Sequence, residues 1–238
     1  MPVSNQQKEI EKGINAFVEL MGSHTISLVM LSQERLPTAF RSGIIIRREN
    51  GTTVTMTAAH ELGAQPWFIE TITDNRANGS LLIDAGKLSQ VMAVESWAND
   101  LVFYPFPAPE IDRSTLPAAS VPIYQHHVSV PRKDEAYGFA VWRQGKNDLV
   151  RAVPHYQAIR ELVCEIGMEY VGDEDGLYLF KLAGNHRGHD WYKGVSGGPI
   201  ADPSGLIVAV VKGGDENRNI IFGQPLAPYA KQLGIPTR

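Results

Sequence analysis

Short apolar runs, rich in β-branched residues and separated by turn residues, repeat along the chain from about Thr25 onward. In the first half the runs cover residues 26–31, 43–47, 53–57, 67–73, 88–94 and 101–104. In the second half they cover residues 136–141, 149–156, 161–169, 177–182, 198–201, 206–212 and 220–225. Many short strands at regular spacing are typical of a β-sandwich or a pair of β-barrels. The sequence therefore predicts an all-β fold.

Helical patterns stand at the two ends of this strand series. Five apolar residues recur at helical spacing near the start of the chain: Ile10, Ile14, Phe17, Val18 and Met21. With Ser4 as N-cap and Gly22 as the stop, they predict an amphipathic helix over 5–21. We expect its apolar stripe to pack on the body; alternatively, it binds a regulatory partner or a second copy. A short second helix is predicted over 227–233.

Charge and cysteine content exclude several classes of partner and framework. The formal net charge is −4, so no strong basic field can hold nucleic acid or an anionic membrane. The single Cys164 cannot form an internal disulfide and is expected in the core. Residues 1–21 lack the apolar run of a signal peptide, and no stretch is long and apolar enough to span a membrane. We expect a soluble, cytoplasmic protein.

The most specific motif is the run Gly194-Val195-Ser196-Gly197-Gly198-Pro199. By chance this pattern should occur in roughly one chain of this length in several thousand. Glycines let a chain turn tightly around a serine and aim successive N–H groups inward. The N–H groups of Gly194 and Ser196 could then bind the oxyanion of a tetrahedral intermediate. The alternative interpretation is a glycine-rich turn without chemistry.

A serine hydroxyl is a poor nucleophile unless a base is positioned beside it. The candidate base is His60, which follows a predicted strand, and the candidate third residue is Asp100, directly before another strand. Taken alone, each is more typical of a structural residue. Together they stand in the order His, Asp, Ser, with separations of 40 and 96 residues. That order differs from those of the α/β-hydrolases and the subtilisins.

These motifs together resemble the trypsin/chymotrypsin-like serine peptidases, especially their disulfide-free bacterial and intracellular branches. Over residues 25–235 the matching segments are 42–46, 57–60, 100–102, 137–139, 194–199 and 205–214. The resemblance implies two six-stranded antiparallel β-barrels with the active site in the cleft between them. We therefore expect a helix within 1–24, a first barrel over 25–112, and a second barrel with the C-terminal helix over 113–238. The three parts would form one peptidase unit.

The resemblance also implies a mechanism on a protein or peptide substrate, with no metal or cofactor. His60 would take the proton of Ser196 during attack on a peptide carbonyl, and Asp100 would orient His60. The N–H groups of Gly194 and Ser196 would hold the oxyanion, and water would hydrolyse the acyl-enzyme. Because a histidine acts as base only when neutral, activity should rise with pH between about 5 and 8.

Three positions depart from the family pattern or sit where relatives select substrates. Val195 replaces the aspartate that pairs with a newly released N-terminus in the secreted enzymes, so that activation route is not expected. Val211 stands where many relatives have a serine near the catalytic aspartate. Lys212 and Gly213 follow it on the strand that pairs with the substrate backbone.

Asp190 precedes Ser196 by six residues. In trypsin-like relatives an acid at this spacing lies in the primary specificity pocket and selects Arg or Lys, through charge pairing. Alternatively, Asp190 belongs to a polar loop and faces water beside Lys193. Four further histidines are expected at the surface rather than as metal ligands: His126, His127, His186 and His189.

Three functions agree with this sequence. The first is an active serine endopeptidase, possessing a triad of His60, Asp100 and Ser196. The second is a protease-fold binding module that has lost turnover. The third is an esterase or acyltransferase that uses the same acyl-enzyme chemistry.

Overall fold

A computed structural model describes residues 5–31, 37–60, 67–73, 76–83, 101–106, 127–144 and 160–238. The N-terminal half contains α1 (Asn5–His24), β1 (Thr25–Leu31), β2 (Pro37–Arg47), β3 (Thr53–Ala58), β4 (Trp67–Thr73), β5 (Arg76–Ile83) and β6 (Leu101–Phe106). The C-terminal half contains β7 (Ala136–Gln144), β8 (Arg160–Glu174), β9 (Leu177–Lys181), β10 (Pro199–Ala201), β11 (Ile207–Asp215), β12 (Ile220–Pro225) and α2 (Ala227–Leu233). The prediction of an all-β fold with a helix near each end is confirmed.

The strands of the N-terminal half form one antiparallel sheet of six strands in the order β5-β4-β1-β2-β3-β6. Residues 48–52 join β2 to β3 in a hairpin: Gly51 N–H donates to the Arg48 carbonyl at 3.0 Å, Arg48 N–H donates to the Thr52 carbonyl at 2.7 Å, and Gly51 has a positive φ of 81°. Within the described residues the sheet has β5 and β6 at its edges. The predicted closure of this half into a full barrel therefore stays a prediction.

The strands of the C-terminal half form a closed barrel in the order β10-β11-β12-β9-β8-β7. A short pairing between Ala201 on β10 and Gly138 on β7 closes the ring. This confirms the second predicted barrel.

Several strands differ from prediction: β2 begins at Pro37 instead of residue 43, and β7 and β11 each end three residues later than predicted. The strand β5 was not predicted, because Asn78 and Gly79 within it are typical turn residues. The strand β8 continues to Glu174, beyond the predicted end at residue 169. Its pairing with β9 shifts register between Tyr170 and Gly172 and then continues to Glu174. The predicted strands 88–94 and 149–156, and the boundary between residues 112 and 113, lie outside the described residues.

The helix α1 continues past its predicted stop at Gly22 to His24. Gly22 is buried, and a Cβ atom placed on it would lie 3.2 Å from Leu162 of β8. The Trp142 indole N–H donates to the Gly22 carbonyl at 2.8 Å. Gly22 therefore allows close packing of the helix on the barrel and does not end it. The predicted N-cap, Ser4, lies outside the described residues.

The predicted apolar stripe of α1 divides into a buried and an exposed part. Phe17 and Met21 are buried, so the second half of the stripe packs on the body, as expected. Ile10 is 57% exposed and Ile14 is 36% exposed. Within the described part of the chain, no helix has the length and apolar character needed to cross a membrane.

Two apolar clusters form the core. The first, here called the barrel cluster, fills the interior of the closed barrel: Tyr137, Phe139, Val141, Val163, Met168, Tyr178, Phe180, Leu182, Val195, Ile200, Val208, Ala209, Val211 and Ile221. The second, here called the shared cluster, joins the sheet, both helices and the outer face of the barrel: Phe17, Met21, Ile44, Ile46, Val54, Met56, Val128, Ala140, Ala201, Ile207, Val210, Leu226, Leu233 and Ile235. Cys164 is only partly buried and packs against the shared cluster, where burial raises the pKa of its thiol.

The residues after α2 connect the two halves. The helix ends at Gly234, whose φ of 62° is the left-handed conformation typical of a glycine C-cap. The Gly234 carbonyl accepts a hydrogen bond from Glu49 N–H in the sheet at 2.8 Å. Farther on, Val128 N–H donates to the Pro236 carbonyl at 2.9 Å, and Arg238 N–H donates to the Val128 carbonyl at 3.0 Å. The tail thus bonds to the β2–β3 hairpin and to the segment that leads into the barrel.

Candidate active site

Residues 194–198, here called the nucleophile turn, carry Ser196 just before β10. Gly194 and Gly197 have φ values of 85° and 88°, which lie in the left-handed region that glycine adopts readily. Val195 N–H donates to the Tyr192 carbonyl at 3.1 Å, and Gly198 N–H donates to the Val195 carbonyl at 3.0 Å. Two successive tight turns therefore leave Ser196 half-buried at the bend, while Val195 points into the barrel cluster.

The nucleophile turn is bonded to β11 within the barrel. Gly197 N–H donates to the Val211 carbonyl at 2.8 Å, and Val211 N–H donates to the Gly198 carbonyl at 2.7 Å. The pairing of β11 with β12 shifts register between Val211 and Gly213, so Lys212 is the extra residue of a β-bulge. The Ser196 hydroxyl lies 3.4 Å from the Lys212 carbonyl oxygen. Bulges often change the direction of a strand beside a functional site, and this one places the Lys212 carbonyl beside the Ser196 hydroxyl.

The nucleophile turn also bonds to the first sheet, through Ser42 of β2. Ser42 N–H donates to the Ser196 carbonyl at 3.0 Å, and the Ser42 hydroxyl donates to the Gly194 carbonyl at 2.9 Å. Thr57 of β3 in turn donates its hydroxyl to the Ser42 carbonyl at 2.8 Å. Ser42 and Thr57 are buried, so these hydrogen bonds form away from water.

Gly197 makes a close contact between the two halves. A Cβ atom at this position would collide with the Ser42 carbonyl oxygen and the Thr57 hydroxyl, and would lie 2.9 Å from the Ala58 nitrogen. His60 follows Ala58 by two residues and is half-buried. The close approach at Gly197 therefore brings the turn that carries Ser196 to the end of β3 from which the chain leads to His60.

Asp100 lies outside the described residues. The strand β6 begins at the next residue, Leu101, which pairs with Ala58 of β3. The described backbone thus places the start of β6 opposite the end of β3, where the chain leads on to His60.

The two predicted oxyanion donors keep their N–H groups available. In the described part of the chain, neither Gly194 N–H nor Ser196 N–H donates to another backbone carbonyl. Both residues are half-buried, so these N–H groups can donate to water or to an anion.

Asp190 has an exposed side chain, and so has its neighbour Lys193. The Asp190 carbonyl accepts a hydrogen bond from the Arg143 guanidinium at 3.2 Å. The other predicted residues are placed along β11: Val211 is buried in the barrel cluster, and a Cβ atom on Gly213 would meet nothing within 4 Å. The strand beside Ser196 is therefore open at Gly213.

A cluster of polar and aromatic side chains lies on the loop before the nucleophile turn. Gly188 N–H donates to His186 Nδ1 at 3.1 Å, and the His186 ring stands 4.6 Å from the Tyr192 ring. Burial lowers the pKa of His186, against the attraction of Glu216 and other nearby acids. The Tyr192 hydroxyl donates to Glu165 at 2.9 Å, and burial together with this bond raises the pKa of Tyr192.

The predicted surface histidines differ in exposure. His127 and His189 are exposed, while His186 is partly buried, and His126 lies outside the described residues. Among the residues that the structure describes, no group of three or more His, Cys, Asp or Glu side chains could hold a metal ion.

Sequence reasoning missed three residues of this site. Ser42 and Thr57 lie in segments that match the peptidase pattern, but their hydroxyl bonds could not be read from it. Arg143, which bonds the loop carbonyls before the nucleophile turn, left no signal, because an arginine near a strand end is usually solvated. Their roles depend on partners that are distant in sequence.

Comparison with solved structures places the fold among proteases. The tobacco etch virus protease in a complex with product aligns with a TM-score of 0.55 at 10% identity, over 92% of this chain and 81% of that one. A serine endoprotease from Yersinia pestis aligns with a TM-score of 0.54 at 12% identity, over 98% of this chain. This chain spans 66% of the Yersinia chain.

A third structure, the inactive form of the Rv3671c protease, aligns with a TM-score of 0.52 at 13% identity, over 93% of each chain. No known family matches the sequence, and no curated protein sequence does. At this level of identity the alignments establish the fold. The chain thus has the all-β, chymotrypsin-like fold of these viral and bacterial proteases.

Proposed function

We propose that this protein is a serine endopeptidase whose triad is His60, Asp100 and Ser196. One observation carries the proposal: Gly197 fits against Thr57 and Ala58 so closely that a side chain there would collide. That contact joins the turn of the predicted nucleophile to the strand that leads to the predicted base. The fold shared with known proteases supports the same function.

In the proposed reaction, His60 takes the Ser196 hydroxyl proton as Oγ attacks a peptide carbonyl. Asp100 orients His60 and stabilises its cationic form. The N–H groups of Gly194 and Ser196 bind the oxyanion, and their freedom from other backbone carbonyls suits that role. His60 then gives the proton to the leaving amine, and water hydrolyses the acyl-enzyme by the same steps in reverse.

The substrate is a protein or peptide whose backbone would pair with β11 at Lys212 and Gly213. The open space at Gly213 supports this, since a side chain there would narrow the approach to Ser196. Asp190 would favour cutting after Arg or Lys. Fluorogenic peptides that differ only in the residue before the cut test this role: equal rates for Arg and Leu would exclude it.

The experiment that tests the function is labelling with a fluorophosphonate probe, followed by peptide hydrolysis. Ser196→Ala should abolish labelling, and His60→Ala or Asp100→Asn should lower the hydrolysis rate by about 10⁴-fold or more, with the circular dichroism spectrum unchanged. Retained labelling in Ser196→Ala would contradict the proposal.

The same assays separate the alternatives. A labelled protein that hydrolyses esters but no member of a peptide library would be an esterase or acyltransferase. A folded protein that is neither labelled nor active would be a binding module.

A further inference from the structure

Arg143, near the end of β7, holds a charge inside the barrel wall. Its side chain is only 4% exposed. One guanidinium nitrogen, Nη1, donates to the Asp190 carbonyl at 3.2 Å and also to the Trp191 carbonyl. The other, Nη2, donates to Glu161 of β8 at 2.9 Å. Two of its three partners are therefore carbonyls of the loop that precedes Ser196.

The same loop is held to β8 by a second set of contacts. The guanidinium groups of Arg143 and Arg187 both contact the Trp191 ring, and the central carbon of each is 4.7 Å from the ring centre. Arg187 is 3.4 Å from Glu165, which also accepts the Tyr192 hydroxyl at 2.9 Å. Contacts from β7 and β8 thus fix residues 187–192 from two sides.

The clamped carbonyls are close to the predicted oxyanion donor. Trp191 precedes Gly194 by three residues, and a single tight turn from Tyr192 to Val195 spans the interval. The Arg143 Cβ atom is 3.6 Å from the position a Cβ would take on Gly194. A shift of the Asp190 and Trp191 carbonyls would therefore move the Gly194 N–H group.

The ion pair with Glu161 does not offset the free-energy cost of burying the charge of Arg143. The Glu161 side chain is 42% exposed, and a pair that is open to water contributes about 1 kcal/mol or less. Burying a guanidinium costs several kcal/mol, which hydrogen bonds to its donors offset. Both Nη atoms of Arg143 are bonded, while its buried Nε has no hydrogen-bond partner among the described residues. The planar fork of arginine spreads its donors over separate nitrogens and so bonds two neighbouring carbonyls and a carboxylate at different positions, whereas the three donors of a lysine all lie on one nitrogen.

We propose that Arg143 is a positioning residue that holds the 190–194 loop so that the Gly194 N–H group faces the oxyanion. This inference rests on the proposed peptidase function. Arg143 touches no reacting atom; it acts through the carbonyls of Asp190 and Trp191. Its loss should therefore reduce transition-state stabilisation and leave substrate binding unchanged.

The test compares Arg143→Met, Arg143→Lys and Arg218→Met with the wild-type enzyme on one peptide substrate. Each rate is divided by the concentration of sites titrated with the fluorophosphonate probe, so misfolded protein does not count. Displacing one oxyanion donor typically lowers kcat by about 10²-fold. Arg143→Met should therefore lower kcat by about 10–100-fold and leave KM unchanged. The kcat of Arg143→Lys should lie between the values of Arg143→Met and the wild type.

Arg218→Met is the matched control. Arg218 pairs with Glu174 at 2.7 Å on the exposed end of the β8–β9 hairpin, with 43% of its side chain exposed. Removing it should leave kcat and KM unchanged. If Arg143→Met does not fold, the kcat of Arg143→Lys decides whether Arg143 has this role. Glu161→Gln keeps a hydrogen-bonding partner for Arg143, so its kcat should stay near the wild-type value.

The outcomes separate this inference from the proposed function. A wild-type protein that the probe labels, with Arg143 variants of unchanged kcat per titrated site, would overturn the role of Arg143 and leave the peptidase intact. A rise in KM at constant kcat would overturn it as well. A wild-type protein that the probe does not label at Ser196 would remove the peptidase function, and the inference with it.

Discussion

The closed barrel and the six-stranded sheet hold their cores in different ways. The barrel cluster consists of residues from the barrel's own strands and from the turn that carries Ser196, and its largest members are the aromatic side chains of Tyr137, Phe139, Tyr178 and Phe180. The described core of the sheet is aliphatic, with Ile44, Ile46, Val54 and Met56, and it packs against both helices and the outside of the barrel.

This difference shows how the candidate site is assembled. Neighbouring residues of one barrel strand serve both cores: Phe139 and Val141 point inward, while Ala140 between them belongs to the shared cluster. The barrel thus holds the turn that carries Ser196, and the interface with the sheet sets that turn against the end of β3, from which the chain leads to His60. Stability should depend most on the barrel, and activity on the interface between the halves.

The largest loss of stability is expected from the barrel interior. Phe180 is fully buried, and its ring centre lies 5.4 Å from that of Tyr137 and 5.9 Å from that of Tyr170. Phe180→Ala should lower the free energy of unfolding by about 3–5 kcal/mol, because it removes a buried ring and leaves a cavity. Urea titration measures this. A loss below about 1 kcal/mol would mean that the barrel core is not the main source of stability.

The interface at Gly197 should show the next largest effect, and a stronger one on activity. In Gly197→Ala, a left-handed residue acquires a side chain that collides with β2 and β3. We expect the free energy of unfolding to fall by about 2–4 kcal/mol, and most of the fluorophosphonate labelling to be lost. Gly213→Ala is the control for folding, since its new methyl group meets nothing within 4 Å. Equal stability of the two variants would argue against a tight interface at residue 197.

A smaller effect is expected at Ser42. Ser42→Ala removes the hydroxyl bond of 2.9 Å to the Gly194 carbonyl and leaves that carbonyl without this partner. The free energy of unfolding should fall by about 1–2 kcal/mol, and labelling should slow. The control is Ser129→Ala, whose hydroxyl makes a solvent-exposed bond of 3.4 Å to the Val130 carbonyl; its free energy of unfolding, measured by thermal denaturation, should differ from the wild type by less than about 0.5 kcal/mol. Similar losses at both serines would contradict a special role for Ser42.

The smallest effect concerns pH. Burial lowers the pKa of His186, although Glu216, Glu165 and Asp215 attract a proton to it and His189 opposes them. The unfolded chain therefore takes up a proton at a higher pH than the folded chain. The stability from the neutral ring is complete above the ordinary histidine value and is lost as pH falls toward the lower folded value.

His186→Gln should consequently reduce the drop in Tm between pH 7 and pH 5. His127→Gln, at an exposed position, serves as control and should keep the wild-type drop. An unchanged drop in His186→Gln would show that this ring does not couple folding to pH.

The sequence predicted the elements whose signal is local. Strand β12 and helix α2 have the predicted bounds, because apolar alternation and the flanking turn residues lie within a few positions of each other. The strand β5 was missed because Asn78-Gly79 is a typical turn signal, whereas in the fold Asn78 pairs with Thr71 of β4 and Gly79 is the extra residue of a β-bulge. The stop predicted at Gly22 was wrong for a similar reason: its neighbour Leu162 is distant in sequence.

For the candidate site, the motif around Ser196 could be predicted but its supports could not. The Ser42 hydroxyl bonds a carbonyl 152 residues away, and Arg143 bonds carbonyls 47 and 48 residues away. Nothing in the residues next to Ser42 or Arg143 indicates these partners. The sequence therefore indicated which groups could react, and the fold shows how the turn that carries one of them is held.

The bond between Glu49 N–H and the Gly234 carbonyl has a consequence for the kinetics of folding. It closes a chain segment of about 185 residues, and contacts this remote in sequence form late because the entropy of closing such a loop opposes them. The barrel can build most of its strand pairs from nearer neighbours. In a refolding experiment, most of the β-sheet circular dichroism signal should therefore recover before Ser196 can be labelled by a fluorophosphonate probe, because labelling awaits docking of the sheet on the barrel.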